Sequence, residues 1–148
     1  MRDALGGVVN LVIIVVFITL VSGYLAFSVN YTKAFRVKNK IITTIENYEG
    51  YSSKAHNEIK NYAKSIGYNI NTPRNFKAND WTGVPDCGFY YREITSQKAP
   101  SSGVTDYVEK KYYEVITFVT VDIPIINKIM PHIEFFQIKG TTKSITIK

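Results

Sequence analysis

Gly7-Val-Val-Asn-Leu-Val-Ile-Ile-Val-Val-Phe-Ile-Thr-Leu-Val-Ser-Gly-Tyr-Leu-Ala-Phe-Ser-Val29 is one unbroken apolar run with no charge and no proline. At a helical rise of about 1.5 Å per residue it reaches about 34 Å, enough to cross a hydrocarbon core of about 30 Å. Lipid offers the backbone no hydrogen-bond partners, so such a run has to be a helix. With only residues 1–6 ahead of it, the rest of the chain is expected on one side of a membrane. A cleaved secretory signal is the competing reading, and Ala26-Phe27-Ser28 mimics a cleavage site. The run is longer than the roughly 7–15 residues of a signal core, and Met1 to Leu5 is nearly neutral, which favours a retained anchor.

The helix is expected to continue beyond the span. Ala34, Val37, Ile41, Ile45 and Tyr48 recur at spacings of three and four, on one face, while Lys33, Arg36, Lys40, Thr44 and Asn47 fall elsewhere around the wheel. Gly50 suits a left-handed helix end. The spacing thus predicts one helix from about Ala4 to Glu49, half in lipid and half packed on a domain. A second helix follows, capped by Ser52 or Ser53, with Ala55, Ile59, Tyr62, Ala63 and Ile66 as its apolar stripe and Gly67 as its end.

From Tyr68 to Cys87 turn formers dominate, with Phe76 and Trp81 expected as pins onto the core. Strands are expected over Gly88 to Thr95 and Tyr107 to Asp122. In the latter, Tyr113, Val115, Thr117, Val119 and Val121 alternate with Glu114, Ile116, Phe118, Thr120 and Asp122. Glu134 to Lys148 gives a last strand pair or one strand broken at Gly140, a candidate bulge or turn. The fold class is therefore α+β, with a small antiparallel sheet packed on the stalk helix. The parts are a leader or tail (1–6), a transmembrane helix (7–29), its amphipathic continuation (30–49) and a small α+β domain (50–148).

Composition narrows the function. The chain has eleven Tyr, one Trp, two His and one Cys, with net charge +6. A single cysteine, Cys87, forms no internal disulfide, and the histidines, His56 and His132, make no metal-ligand pattern with it; both are expected at the surface. There is no phosphate loop, paired carboxylate or nucleophile–base pattern, so neither an enzyme nor a cofactor is expected. The tyrosines near 107–113 read as a binding face or as cross-strand packing. The basic residues Lys33, Arg36, Lys38 and Lys40 crowd beside the span and not on a basic, aromatic-interleaved face, so no nucleic-acid partner is expected. That cluster reads equally as a grip on anionic lipid or wall polymer and as a solvated helix face. Gly6, Gly7, Ser22 and Gly23 read as close helix–helix contacts or as ordinary span glycines and serine, and Asn10 as a bond to a neighbouring span or a solvated residue. By the positive-inside rule the basic flank places the domain in the cytoplasm; the strand composition favours export.

A hydrophobic helix running straight into an amphipathic half-helix, then a small sheet, resembles type IV pilin-like subunits. More closely, the chain is similar to TadE-like minor pilins, or pseudopilins, of tight-adherence pili in Gram-positive bacteria. Gly6-Gly7 opening the run carries part of the likeness, since prepilin peptidases cut after a glycine. The ending, Val119 to Pro131 followed by Phe136-Gln-Ile-Lys-Gly-Thr-Thr-Lys143, carries the rest. The resemblance implies a non-enzymatic structural subunit at the cell surface, partnered by membrane lipid, other pilin-like subunits and a pilus assembly platform. The chain departs from the pilin pattern at the fifth position after the cut, where Val12 stands in place of a glutamate. A single-pass anchored adhesion or sensor domain acting alone is the alternative.

Overall fold

In the computed structural model of the protein, residues 2–70, 76, 80–97, 109–120 and 136–146 are described. Helix α1 (Arg2–Asn47) and helix α2 (Ser53–Ser65) precede five strands, β1 (Thr82–Val84), β2 (Phe89–Gln97), β3 (Glu109–Val119), β4 (Phe136–Thr141) and β5 (Ile145–Thr146). The sheet is antiparallel throughout, in the order β1-β2-β3-β4, with β5 also pairing β3. The architecture is α+β, with the sheet packed on α1.

At 46 residues, α1 is about 69 Å long. It carries no break, and its two halves meet different surroundings. Ala34, Val37, Ile41 and Ile45 are fully buried in one core with Val115 and Val119 of β3. The stripe predicted from spacing is the packed face as far as Ile45. Tyr48 departs from it and is 42% exposed, because the helix has already ended at Asn47 and the ring turns out towards Glu58. Thr44, expected off the apolar face, is buried. Thr117 donates from its hydroxyl to the Ala34 carbonyl at 3.2 Å, fixing the centre of β3 to the helix.

Both helices end in a Schellman motif. For α2 the left-handed residue is Gly67 (φ 63°), as its type predicts, with Tyr68 N–H donating to the Ala63 carbonyl at 3.0 Å. For α1 the residue at C′ is Glu49 (φ 53°), and Gly50, expected there, follows it with a positive φ of its own, 151°. Gly50 lies one position further on, its N–H donating to the Ile45 carbonyl at 2.9 Å. Ser52 caps α2, its hydroxyl accepting from Ala55 N–H.

From Val115 to Val119 strand β3 is buried on both faces, unlike the alternation expected of a sheet with one wet side. Val115, Thr117 and Val119 meet α1, while Ile116 and Phe118 are equally buried on the outer side. Phe118 lies under Phe76 and Tyr90, at ring-centroid distances of 5.5 and 5.7 Å. Phe76 and Trp81 are thus pins on the outer face of the sheet, and Trp81 also receives the Arg92 guanidinium at 5.0 Å.

Gly140 is neither a bulge nor a turn. It lies inside β4 opposite Val115, and a Cβ there would meet Ile42 Cδ1 at 2.6 Å and Lys38 Cδ at 2.9 Å. Close approach of α1 is what selects glycine. The irregularity falls just after it. Glu114 pairs with Thr141 and Lys111 with Ile145, so the outer strand carries one extra residue between them. Thr142 bridges the gap: its N–H donates to the Tyr113 carbonyl and its hydroxyl accepts from Tyr113 N–H, both at 2.9 Å. Lys143 N–H donates to the Glu46 carboxylate at 2.7 Å, tying the bulge to the last turn of α1.

Tyr68 closes the other end of the sheet. Its buried hydroxyl accepts from Phe118 N–H at 3.0 Å and lies 3.0 Å from the Gly88 carbonyl, to which it donates. A tyrosine oxygen here carries the β2–β3 pairing one step past its last ladder pair, Phe89 opposite Thr117. Burial pushes this hydroxyl up to about 12, with the Phe118 backbone opposing. An unfolded tyrosine ionises near 10, so the contribution is intact below pH 10 and is lost as pH rises towards 12. Domain stability should therefore fall by about 2–3 kcal/mol over that window through Tyr68 alone. Tyr68→Phe should lose about 1–3 kcal/mol at neutral pH by leaving Phe118 N–H unpaired, and should flatten part of the alkaline decline. Thermal melting of both proteins between pH 7 and 12 checks it; identical alkaline slopes would refute it.

Candidate functional site

The remaining half of α1 is the feature around which a function can be built. From Val8 to Leu25 its large apolar side chains are exposed around the whole circumference, with Phe17, Leu20 and Tyr24 at 66%, 67% and 71%. This segment is long and apolar enough to cross a membrane once. Two hydroxyls on this side of the helix bond to its own backbone. The Thr19 hydroxyl donates to the Val15 carbonyl and that of Thr32 to the Ser28 carbonyl, each at 2.8 Å.

Gly6, Gly7, Asn10 and Ser22 are exposed on this segment, and Gly23 is half-buried. A Cβ on Gly6 or Gly7 would meet nothing within 4 Å. On a straight helix Gly6 and Asn10 share a face, whereas Ser22 lies about 160° around from Gly6. The small residues therefore form two separate patches and not one stripe.

An aromatic collar marks where α1 enters the domain. Phe27 meets Phe136 of β4 edge to face at 5.5 Å, and Tyr31 stacks between Phe27 and Phe35 at 6.2 and 6.5 Å. Phe136 remains 56% exposed beside them. Aromatic side chains gather in this way at membrane–water boundaries.

The basic cluster divides at the same level. Lys40 is committed to Glu58 of α2, Nζ to Oε1 at 2.6 Å, and holds that carboxyl below its usual range. Lys38 lies on the β4 side, its ammonium 4.3 Å from the centre of the Phe35 ring. Lys33 reaches α2, donating to the Gly67 carbonyl at 3.3 Å. Lys33 and Arg36 line a cleft of about 420 Å³ together with Ser28, Val29, Thr32 and Ile66. Spacing alone could not show this division, because it depends on where α2 docks.

The other singled-out residues are structural. Cys87 is fully buried in the core, and burial pushes its thiol up, away from the reactive thiolate. His56, expected at the surface, is half-buried against Tyr51, with its Nδ1 2.8 Å from the Tyr51 hydroxyl. Tyr113 is buried in cross-strand packing and donates to Glu93 at 3.0 Å; Tyr107, Val121 and His132 lie outside the described residues. Comparison with protein-family models, with curated proteins and with solved structures finds no match to this chain.

Proposed function

We propose that the chain is a single-pass, membrane-anchored, pilin-like structural subunit without enzymatic activity, its α+β domain outside the cell. One observation carries the reading: a single unbroken helix is exposed and apolar around its circumference over its first half and buried along one face in the domain over its second. A domain held in this way by a rigid apolar stalk suits lateral assembly, in which stalks of several copies or companion subunits pack together. Burial of apolar surface is worth about 25 cal/mol per Å² against water, so stalks leaving the bilayer gain strongly from each other. That gain needs no charge pair, which matters because Val12 stands where a pilin glutamate would. Gly6-Gly7 is the proposed processing point, and an assembly platform in the membrane is the further partner implied.

Single cysteines placed along Val8 to Val21 in a Cys87→Ala background test the assembly. Disulfide crosslinks between copies, or to a companion subunit, are expected in cells at these positions and not on the sheet. If no stalk position crosslinks, the protein is an anchored monomer and the adhesion or sensor reading replaces this one.

A further inference from the structure

The cleft beside the stalk has a composition that neither the span nor the domain core requires. Its lining combines two cations, Lys33 and Arg36, two hydroxyl residues, Ser28 and Thr32, and two apolar walls, Val29 and Ile66. Among the described residues no carboxylate lines it. Lys40, one turn further on, is neutralised by Glu58, and Lys38 sits on the other side of the helix. Lys33 is held at the mouth by one bond to the Gly67 carbonyl, which leaves two of its three N–H donors free for an anion. The Thr32 proton is spent on the Ser28 carbonyl, so the Ser28 hydroxyl and the two cations are the available donors.

Height and direction identify the anion. If the apolar run ends at Val29, Lys33 stands about 6 Å and Arg36 about 10 Å above the hydrocarbon edge. The headgroup layer is about 5–7 Å thick on each side, and a long arginine side chain can bend down into it. Below the cleft the same helix face continues as Leu25, Val21 and Ile18, all exposed. A ligand with a phosphate in the cleft and an acyl chain along that stripe satisfies both parts.

Resting on the membrane-anchored reading above, we infer that this cleft binds one anionic phospholipid of the leaflet facing the domain, its phosphate between Lys33 and Arg36 and one acyl chain along Val29, Leu25, Val21 and Ile18. The site would set the height and the rotation of the domain on the membrane, because Lys33 on α1 and Ile66 at the end of α2 both touch the same lipid.

The test uses the full chain in a neutral detergent, titrated with phosphatidylglycerol, phosphatidylcholine or inorganic phosphate, with bound molecules counted by native mass spectrometry. One phosphatidylglycerol per chain is expected, preferred over phosphatidylcholine by about thirtyfold, the value of two cations near a charged surface. Lys33→Gln with Arg36→Gln should abolish the preference. The exposed Arg36→Gln alone, which leaves the Lys33–Gly67 contact intact, should reduce it about fivefold. Lys139→Gln with Lys143→Gln, on exposed positions outside the cleft, should leave it unchanged. Equal retention of the two lipids, or an unchanged preference in the double variant, overturns the inference. Competition by inorganic phosphate at the same concentration also overturns it, since the phosphate alone would then suffice. A chain that stays soluble without detergent overturns the membrane-anchored reading itself, whereas an inserted chain without lipid preference overturns only this site.

Discussion

Replacing Ile41 by Asp unfolds the α+β domain while leaving the apolar half of α1 helical. Ile41 is completely buried, at the centre of the face that α1 presents to β3. A carboxylate there would lose its hydration with only Ala34, Val37, Ile45, Val115 and similar side chains around it. Burial of an unpaired charge costs several kcal/mol, and removal of the packed side chain adds about 2–5 kcal/mol. A domain of this size has about 5–10 kcal/mol of stability in total, so the change is enough to unfold it. Ile41→Val, which removes one methylene, should cost only about 0.5–1.5 kcal/mol and keep the fold. Near-ultraviolet circular dichroism and limited proteolysis of the full chain in detergent distinguish the two variants. An Ile41→Asp protein with an unshifted melting temperature would mean that α1 does not dock on the sheet.

The second large effect lies in the other half of the same helix. Val15→Arg together with Ile18→Arg should prevent insertion. Each arginine near the centre of a span costs about 2.5–3.5 kcal/mol, while each Val, Ile, Leu or Phe returns about 0.3–0.6 kcal/mol. Two arginines therefore offset most of what the whole run gains. Alkaline carbonate extraction should release the variant and leave the wild type in the membrane fraction. External protease on intact cells should cut the wild-type domain and spare the retained variant. A wild-type domain that is protected in intact cells and cut only after lysis would place it in the cytoplasm and remove the pilin-like proposal.

The parts of the fold legible in sequence are those whose signal is periodic and long. The apolar run, the stripe Ala34, Val37, Ile41 and Ile45, the α2 stripe with Ser52 and Gly67, and the alternation centred on Val115 and Val119 all lie where spacing puts them. Strand β1 is too short, at three residues, for alternation to register, and it sits among turn formers. What selects Gly83 there is the Tyr90 ring across the hairpin, 2.8 Å from where a Cβ would stand. The burial of Ile116 and Phe118 depends on Phe76, Tyr90 and Tyr68 arriving from elsewhere in the chain, so β3 alone reads as one-sided. Gly140 and Gly50 sit otherwise than expected for a related reason. Glycine signals a need for space or for a left-handed backbone, and sequence does not say which. At the candidate site the cations were legible, but their division into a committed Lys40, a stacked Lys38 and a cleft-lining pair follows from the docking of α2.

The absence of any hinge between the two halves of α1 makes the helix a drive shaft. Torque or lean imposed on the membrane-facing end reaches the sheet without slack, because no loop between Val8 and Ile45 can absorb it. The azimuth of the domain is then counted out in residues: each one added between the collar and the docked face turns the cargo by about 100° and lifts it by about 1.5 Å. Natural variation in such a connector would be phased by whole turns, in steps of seven or eleven residues, and seldom by one or two.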